Sequence, residues 1–307
     1  NQPVINRLLN MMGGYTGPWG FISYEGGCFS AATTYGTLTT AHTRDDLLNS
    51  RLIIMWGWDP ANTRLSTGTE LYLAQAKEKG IKIISVDPRY TDSAATFAQR
   101  WIPIRPGTDA AMLIAMAYVI LTGGLQDQAF LDRHTYGFDK FRDYVLGNVD
   151  GVPKTPAWAE AITGVPAATI AALAREYATT KPACLMAGIA PGRTAFGEQY
   201  HRATAALAVI TGNIGIHGGE TGVRAYHEYA PMNHYPFSGM TSMRSGPNAV
   251  EVNAPRQRYA LKNFPGFPSS ARIHYSKLAD AMLKGKAGGY PADIKALYVM
   301  TNDPLNQ

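Results

Sequence analysis

The chain has 307 residues, of which 46% are hydrophobic and 17% charged, with a formal net charge of +5. That length favours two α/β units over one, and a modest positive balance spread along the chain, without an aromatic-and-basic stripe, argues against a nucleic-acid partner. The longest apolar stretch, Ala110 to Leu121, is shorter than the roughly 20 residues a membrane-spanning helix needs and is expected to be a buried helix, while two cysteines are too few for a cysteine metal quartet or a disulfide framework.

In chain order, the first notable stretch is SYEGGCFSAATTYG, Ser23 to Gly36, a small-residue segment that places a serine and Cys28 around two glycines. A β-rich run, Leu52 to Trp56, then ends in Gly57 and a polar turn, and the following residues carry helical spacing up to Gly80. Ile81 to Val86 repeats the beginning of that pattern and ends at Asp87-Pro88. RWIPIRPGTDAAM adds another strand running into a helix. Strands that alternate with helices predict a parallel sheet covered on both faces, with ligands beyond the carboxyl ends of the strands. Helices with frequent breaks fill Gln126 to Lys181. A strand over Ala183 to Ala190, the helix EQYHRATAALAVITG and a last strand within IKALYVMTNDPLNQ predict a second lobe. The long irregular stretch from Gly212 to Tyr275 is of a length usually reserved for function or a partner. The expected organisation is a segment 1–40 that packs with the second lobe, a first α/β domain 41–165 and a second α/β domain 166–307.

Asp87 is the sharpest single residue, because a carboxylate at a strand end can accept two hydrogen bonds from guanine N1 and N2. Its alternative role is a turn or helix cap. PGTD, Pro106 to Asp109, would present backbone N–H groups before a helix, a geometry suited to phosphate oxygens, with Asp109 as ligand contact or N-cap. TGNIGIHGGETG, Thr211 to Gly222, carries glycines that permit close backbone approach to a flat ligand. No GxxxxGK[ST] loop and no strand-linked GxGxxG is present, so an ordinary ATP or NAD site is not supported. His42, His201, His217, His227, His234 and His274 form no HxH or HExxH pair and read as structural or surface histidines. Ser23 lacks the GxSxG elbow of a hydrolase. Cys184, in ACLMAGIA, reads as a small buried hydrophobe.

NRLLNMMGG, the Ser23 to Gly36 segment, WGWDPANTR, SVDPRYTDSA, IPIRPGTDAAM, TGNIG with its trailing glycines, and TNDPLNQ occur together in the order found in molybdopterin oxidoreductases. The chain resembles the central part of an anaerobic dimethyl sulfoxide reductase catalytic subunit. That resemblance implies molybdenum held by two molybdopterin guanine dinucleotides, with Ser23 as protein ligand to the metal and catalytic residue. Ser23 lies thirteen residues before Gly36 and sixteen beyond Arg7, where the serine-ligated reductases carry their ligand. Cys28 lies five residues too late and reads as a packing residue. A serine alkoxide is a hard donor suited to oxygen-atom transfer from an S-oxide or N-oxide.

The resemblance further implies that Gly57, Asp59, Pro60, Thr63, Asp87, Pro88, Arg89, Gly107 and Asp109 contact one dinucleotide. Gly188, Pro191, Gly192, Arg193 and Asn302 contact the other. It implies an iron–sulfur cluster in a preceding region, an iron–sulfur electron-transfer subunit, and a membrane anchor, in a membrane-associated complex often on the periplasmic or outer face. The chain departs from the family pattern at Trp58-Asp59 and at Glu220, which interrupts a glycine-rich run. It reads as truncated at both ends and inactive by itself. A non-catalytic relative of the same fold, of the respiratory-complex iron–sulfur subunit type, and a guanine-nucleotide-binding module are the alternatives.

Overall fold

The computed structural model describes residues 5, 8, 9, 11–19, 24–37, 40, 42–63, 68–223 and 272–299. Two compact units emerge, Asn1–Ile22 with Met232–Gln307, and Ser23–Pro231. The smaller contains β1 (Gly17–Trp19). The larger starts with α1 (Glu25–Tyr35) and a 3-10 turn, Arg44–Asn49, followed by β2 (Leu52–Trp56), α2 (Thr69–Glu78), β3 (Lys82–Val86), α3 (Asp92–Phe97) and β4 (Arg100–Ile102). It continues through five helices, α4 (Asp109–Thr122), α5 (Gln128–His134), α6 (Phe138–Leu146), α7 (Pro156–Thr163) and α8 (Ala167–Thr179), and ends with β5 (Ala183–Ala187), a second 3-10 turn, Ala190–Arg193, and α9 (Glu198–Thr211). In the smaller unit β6 (Arg272–His274) pairs in parallel with β1, and α10 (Leu278–Lys284) follows.

Local chemistry sets most boundaries. Gly80, at φ +75°, follows the end of α2, and Thr91, Asp127 and Thr155 each accept a backbone N–H at the start of α3, α5 and α7. Pro156 opens α7, where its missing N–H costs nothing.

The four parallel strands of the larger unit lie in the order β4-β3-β2-β5. All five residues of β2 are buried, as a central strand covered on both faces requires. Ile53, Met55 and Ile83 face one side with Leu73 and Ala76 of α2. Leu52, Ile54, Trp56, Ile84 and Val86 face the other with α4 and α8, through Met112, Leu113, Met116, Ile170 and Leu173. Each such side chain removed from water contributes about 1.5–3 kcal/mol. Glu176 of α8 pairs with Arg100 of β4 at 3.0 Å and with Lys82 of β3, tying the helix to the β4 side of the sheet.

The described structure differs from the expected organisation at two boundaries. β5 hydrogen-bonds to β2 along its whole length, so the sheet crosses the boundary expected at 165/166. Segment 1–40 divides at 22/23, and α1 belongs to the larger unit. Of the expected last strand, the part up to residue 299 forms no strand and exposes Leu297, Tyr298 and Val299, and residues 300–307 lie outside the described residues. Among the described residues no single helix is long and apolar enough to cross a membrane.

Candidate cofactor site at the carboxyl edge of the sheet

Parallel pairing brings the expected loops to one edge. Trp56 is level with Val86 and with Ala187, and Val86 with Ile102. Gly57, Asp87, Pro103 and Gly188 therefore leave the sheet side by side. The Gly57 N–H donates to Val86 O at 2.8 Å, and the Gly188 N–H donates to Trp56 O at 2.7 Å. From β2 the chain proceeds outward through β3 to β4, whereas β5 lies on the opposite side of β2. The gap between the ends of β2 and β5 is thus the topological switch point, the place where open α/β sheets bind ligands.

At that gap the backbone approach is close. Gly57 has φ +54° and lies against the Pro191 ring, and a Cβ on Gly188 would overlap the Gly57 carbonyl. Pro60 is buried. Asp59 organises its own loop: Oδ1 accepts from Ser93 Oγ at 2.6 Å and Oδ2 from Asn62 Nδ2 at 2.8 Å. Thr63 is exposed at the end of that loop. Asp87 is half-buried, its Oδ1 accepting from Arg89 N at 2.9 Å, while Pro88 and Arg89 are exposed. Gly107, at φ +76°, lies beside Thr194, which joins the loop after β4 to the turn after β5. Gly192 is half-buried and Arg193 exposed.

Asp109 behaves differently from the expectation of an N-cap. Thr108 is the cap residue, and Asp109, 5% exposed, accepts from Trp56 Nε1 at 2.8 Å. Its carboxylate clamps α4 to β2 beneath the edge. Burial raises the pKa of both Asp87 and Asp109, and the neighbouring carboxylates Asp59 and Asp87 push the two up further. An edge of this kind favours a ligand that presents hydrogen-bond donors. Ser23 and Asn302 lie outside the described residues, as do His227 and His234.

Behind the switch point, α1, the turn Ala190–Arg193 and α9 meet. Cys28 is fully buried in α1, and burial pushes its thiol pKa up. Cys184 is likewise buried, in β5. His201 of α9 is fully buried, with no hydrogen-bond partner at Nδ1 or Nε2, and burial holds its pKa down to about 3. Phe196, which precedes α9, has φ +57°, the one positive value of a non-glycine among the described residues, and is 80% exposed. Neither residue stands out by motif. A histidine in the first turns of α9, one turn before the run of alanines that packs in the core, was the available signal for His201.

A separate polar hub lies under the loop that follows α9. Asp46 accepts from His42 Nδ1 at 2.6 Å and Gly218 N at 2.9 Å through Oδ2, and from Asn49 Nδ2 at 2.9 Å and His217 Nδ1 at 3.0 Å through Oδ1. Burial alone would raise its pKa, but those four hydrogen bonds outweigh it and hold the carboxyl down to about 2. Glu220 is buried nearby, accepts from Thr221 N at 2.9 Å, and is pushed up to about 7 by burial. His42 and His217 thus have structural partners, and His274 accepts from Ser276 N at 3.2 Å. Among the described residues no group of three or more His, Cys, Asp or Glu is arranged to hold a metal ion.

A parallel α/β sheet with glycines and carboxylates gathered along its carboxyl edge defines the class. Within that class, a family model described as Molybdopterin oxidoreductase matches residues 2–307, and the chain belongs to this family. It is 44% identical over 236 residues to dimethyl sulfoxide reductase DmsA of Escherichia coli (strain K12), covering 72% of this chain and 29% of that protein. It is 39% identical over 272 residues to the probable dimethyl sulfoxide reductase chain YnfF of the same strain, covering 82% and 34%. Trimethylamine-N-oxide reductase of Haemophilus influenzae is 30% identical over 324 aligned positions, with coverage of 99% and 38%. The chain therefore spans about a third of the length of these relatives. Among solved structures, acetylene hydratase from Pelobacter acetylenicus shares the fold, with a TM-score of 0.57, 24% identity, and coverage of 72% of this chain and 29% of that one.

Proposed function

We propose that this chain is the central cofactor-holding part of a molybdenum reductase that takes an oxygen atom from an S-oxide or N-oxide. The observation that carries the reading is the register that brings Gly57, Asp87 and Gly188 to one carboxyl edge of the sheet, beside the switch point between β2 and β5, in a chain of this family. When bound, molybdenum with two molybdopterin guanine dinucleotides supplies the two-electron chemistry.

The residues fit such a group. Asp87 at the exposed rim would accept from guanine N1–H and N2–H, which relieves the repulsion among Asp59, Asp87 and Asp109. Gly107 keeps the adjoining turn low, and Gly57, Asp59, Pro60, Thr63, Pro88 and Arg89 form the rest of that rim, with Asp109 supporting it from below through Trp56. Gly188, Pro191, Gly192 and Arg193, with Asn302, would hold the second dinucleotide. Ser23 would ligate the metal through its hydroxyl oxygen, deprotonated by coordination. An iron–sulfur cluster, an iron–sulfur electron-transfer subunit and a membrane anchor, on the periplasmic or outer face, complete the assembly in this reading.

The test is the full-length gene product, purified anaerobically. It is expected to contain molybdenum by elemental analysis and to reduce dimethyl sulfoxide or trimethylamine N-oxide, and Ser23→Ala is expected to abolish the reduction. Full activity in Ser23→Ala would overturn the ligand assignment. Absence of molybdenum from the wild-type protein would overturn the function.

A further inference from the structure

We propose that Ser93 is a positioning residue for the guanine-reading edge: its buried hydroxyl locks the loop after β2 to the segment after β3, so that the Asp59 and Asp87 loops meet a base as one unit. The inference rests on the reading of Asp87 as the acceptor for guanine.

Ser93 lies fully buried in the first turn of α3. A serine so placed would ordinarily cap its helix, but the cap of α3 is Thr91, whose side chain accepts from Ala94 N at 3.1 Å. The Ser93 hydroxyl is therefore spent elsewhere, as donor and as acceptor at once. Its Oγ donates to Asp59 Oδ1 at 2.6 Å and accepts from Ala61 N at 3.0 Å, so both bonds reach from α3 to the loop after β2. An O–H donor on a carboxylate at this separation makes a charge-assisted bond, about twice as strong as a neutral one. The Asp59 side chain is only 12% exposed, and water does little to screen that bond.

Other contacts show what the lock holds in place. Asn62 N and Thr63 N donate to Asp59 O, which shapes the turn of the β2 loop but ties it to no other element. Arg89 NH2 stands 3.9 Å from Asp59 Oδ2, yet the Arg89 side chain is 77% exposed, and an ion pair in water contributes little. The enclosed Ser93 bond is the stronger tie. On the other loop, Asp87 is steadied at both ends: its Oδ1 accepts from Arg89 N at 2.9 Å, and its carbonyl accepts from Trp101 Nε1 of β4 at 2.8 Å. Asp87 is thus fixed to β4, and Ser93 adds the β2 loop to the same frame.

The experiment uses the full-length protein prepared without its cofactor, with GDP and ADP as probes and titration calorimetry as the readout. The wild type is expected to prefer GDP. Ser93→Ala and Asp59→Ala are each expected to reduce that preference about tenfold, as loss of a shielded charge-assisted bond does, and the double variant to reduce it no further. A preference kept in Ser93→Ala overturns the proposal. Losses that add in the double variant also overturn it, as do losses that fall equally on GDP and ADP, the mark of a merely structural effect. Where Ser93→Ala fails to fold, Asp59→Ala carries the test, a reduced preference upholding the lock and an unchanged one overturning it. Asp87→Ala, measured alongside, separates the two assignments. A preference lost in Asp87→Ala but kept in Ser93→Ala removes the lock and leaves the guanine reader. A preference kept in Asp87→Ala, or absent from the wild type, removes the reader and the lock with it.

Discussion

A methyl group on Gly188 would overlap the carbonyl oxygen of Gly57, a backbone atom held in the sheet that has no room to give way. Gly188→Ala is therefore expected to lower stability by about 3 kcal/mol or more, as overpacking at its severe end does, measured by urea unfolding. A cost below about 1 kcal/mol would show that the ends of β2 and β5 separate readily. From the sequence, Gly188 was read as a ligand contact, and Gly57 and Asp109 likewise. Sequence shows that a residue is small or acidic at a strand end; it does not show whether its nearest neighbour is a ligand or another loop. The Asp87 carboxylate lies half-buried at the edge of the sheet, whereas that of Asp109 is turned inward to Trp56. Sequence reads His201 as a structural or surface histidine, and only three-dimensional packing reveals that it is fully buried with unmet nitrogens.

Among the elements, β2 occupies Leu52–Trp56, as its apolar run predicts, and β3 and α9 fall within a residue or two of their expected spans. These were legible because a central strand is a short continuous apolar run and a packed helix repeats at 3.6 residues. Pairing is not local, so nothing in ACLMA says that β5 joins β2 and not a second sheet. The tie between β2 and α4 was also invisible in sequence, since Trp56 and Asp109 are 53 residues apart. Asp109→Ala leaves the Trp56 N–H buried without a partner and is expected to cost about 1–3 kcal/mol. Asp109→Asn retains the acceptor oxygen and is expected to cost less. Chemical unfolding followed by tryptophan fluorescence compares the two, and equal losses would remove the clamp.

Across the whole molecule, two buried groups give pH dependences of opposite sign. His201 is held down to about 3 from an ordinary 6.5, so the unfolded chain takes up its proton first and stability falls as pH drops from about 6.5 toward 3. Glu220 is pushed up to about 7 from 4.5, so the folded chain keeps its proton longer and stability falls as pH rises from about 4.5 toward 7. Each slope amounts to about 1.4 kcal/mol per pH unit. Between about pH 4.5 and 6.5 their contributions cancel. In that window Glu220→Gln is expected to make stability rise with pH, and His201→Gln to make it fall, in urea titrations at stepped pH. Parallel curves for the two variants would refute the assignment. The two cysteines add a consequence of another kind. Cys28 and Cys184 sit buried in α1 and in β5, with thiols that burial keeps protonated. Alkylating reagents attack thiolates, so the native molecule presents them with no target at either position. Each thiol is a clock for the opening of its own element: the rate at which Cys28 is capped times the release of α1, and the rate at Cys184 times the parting of the sheet.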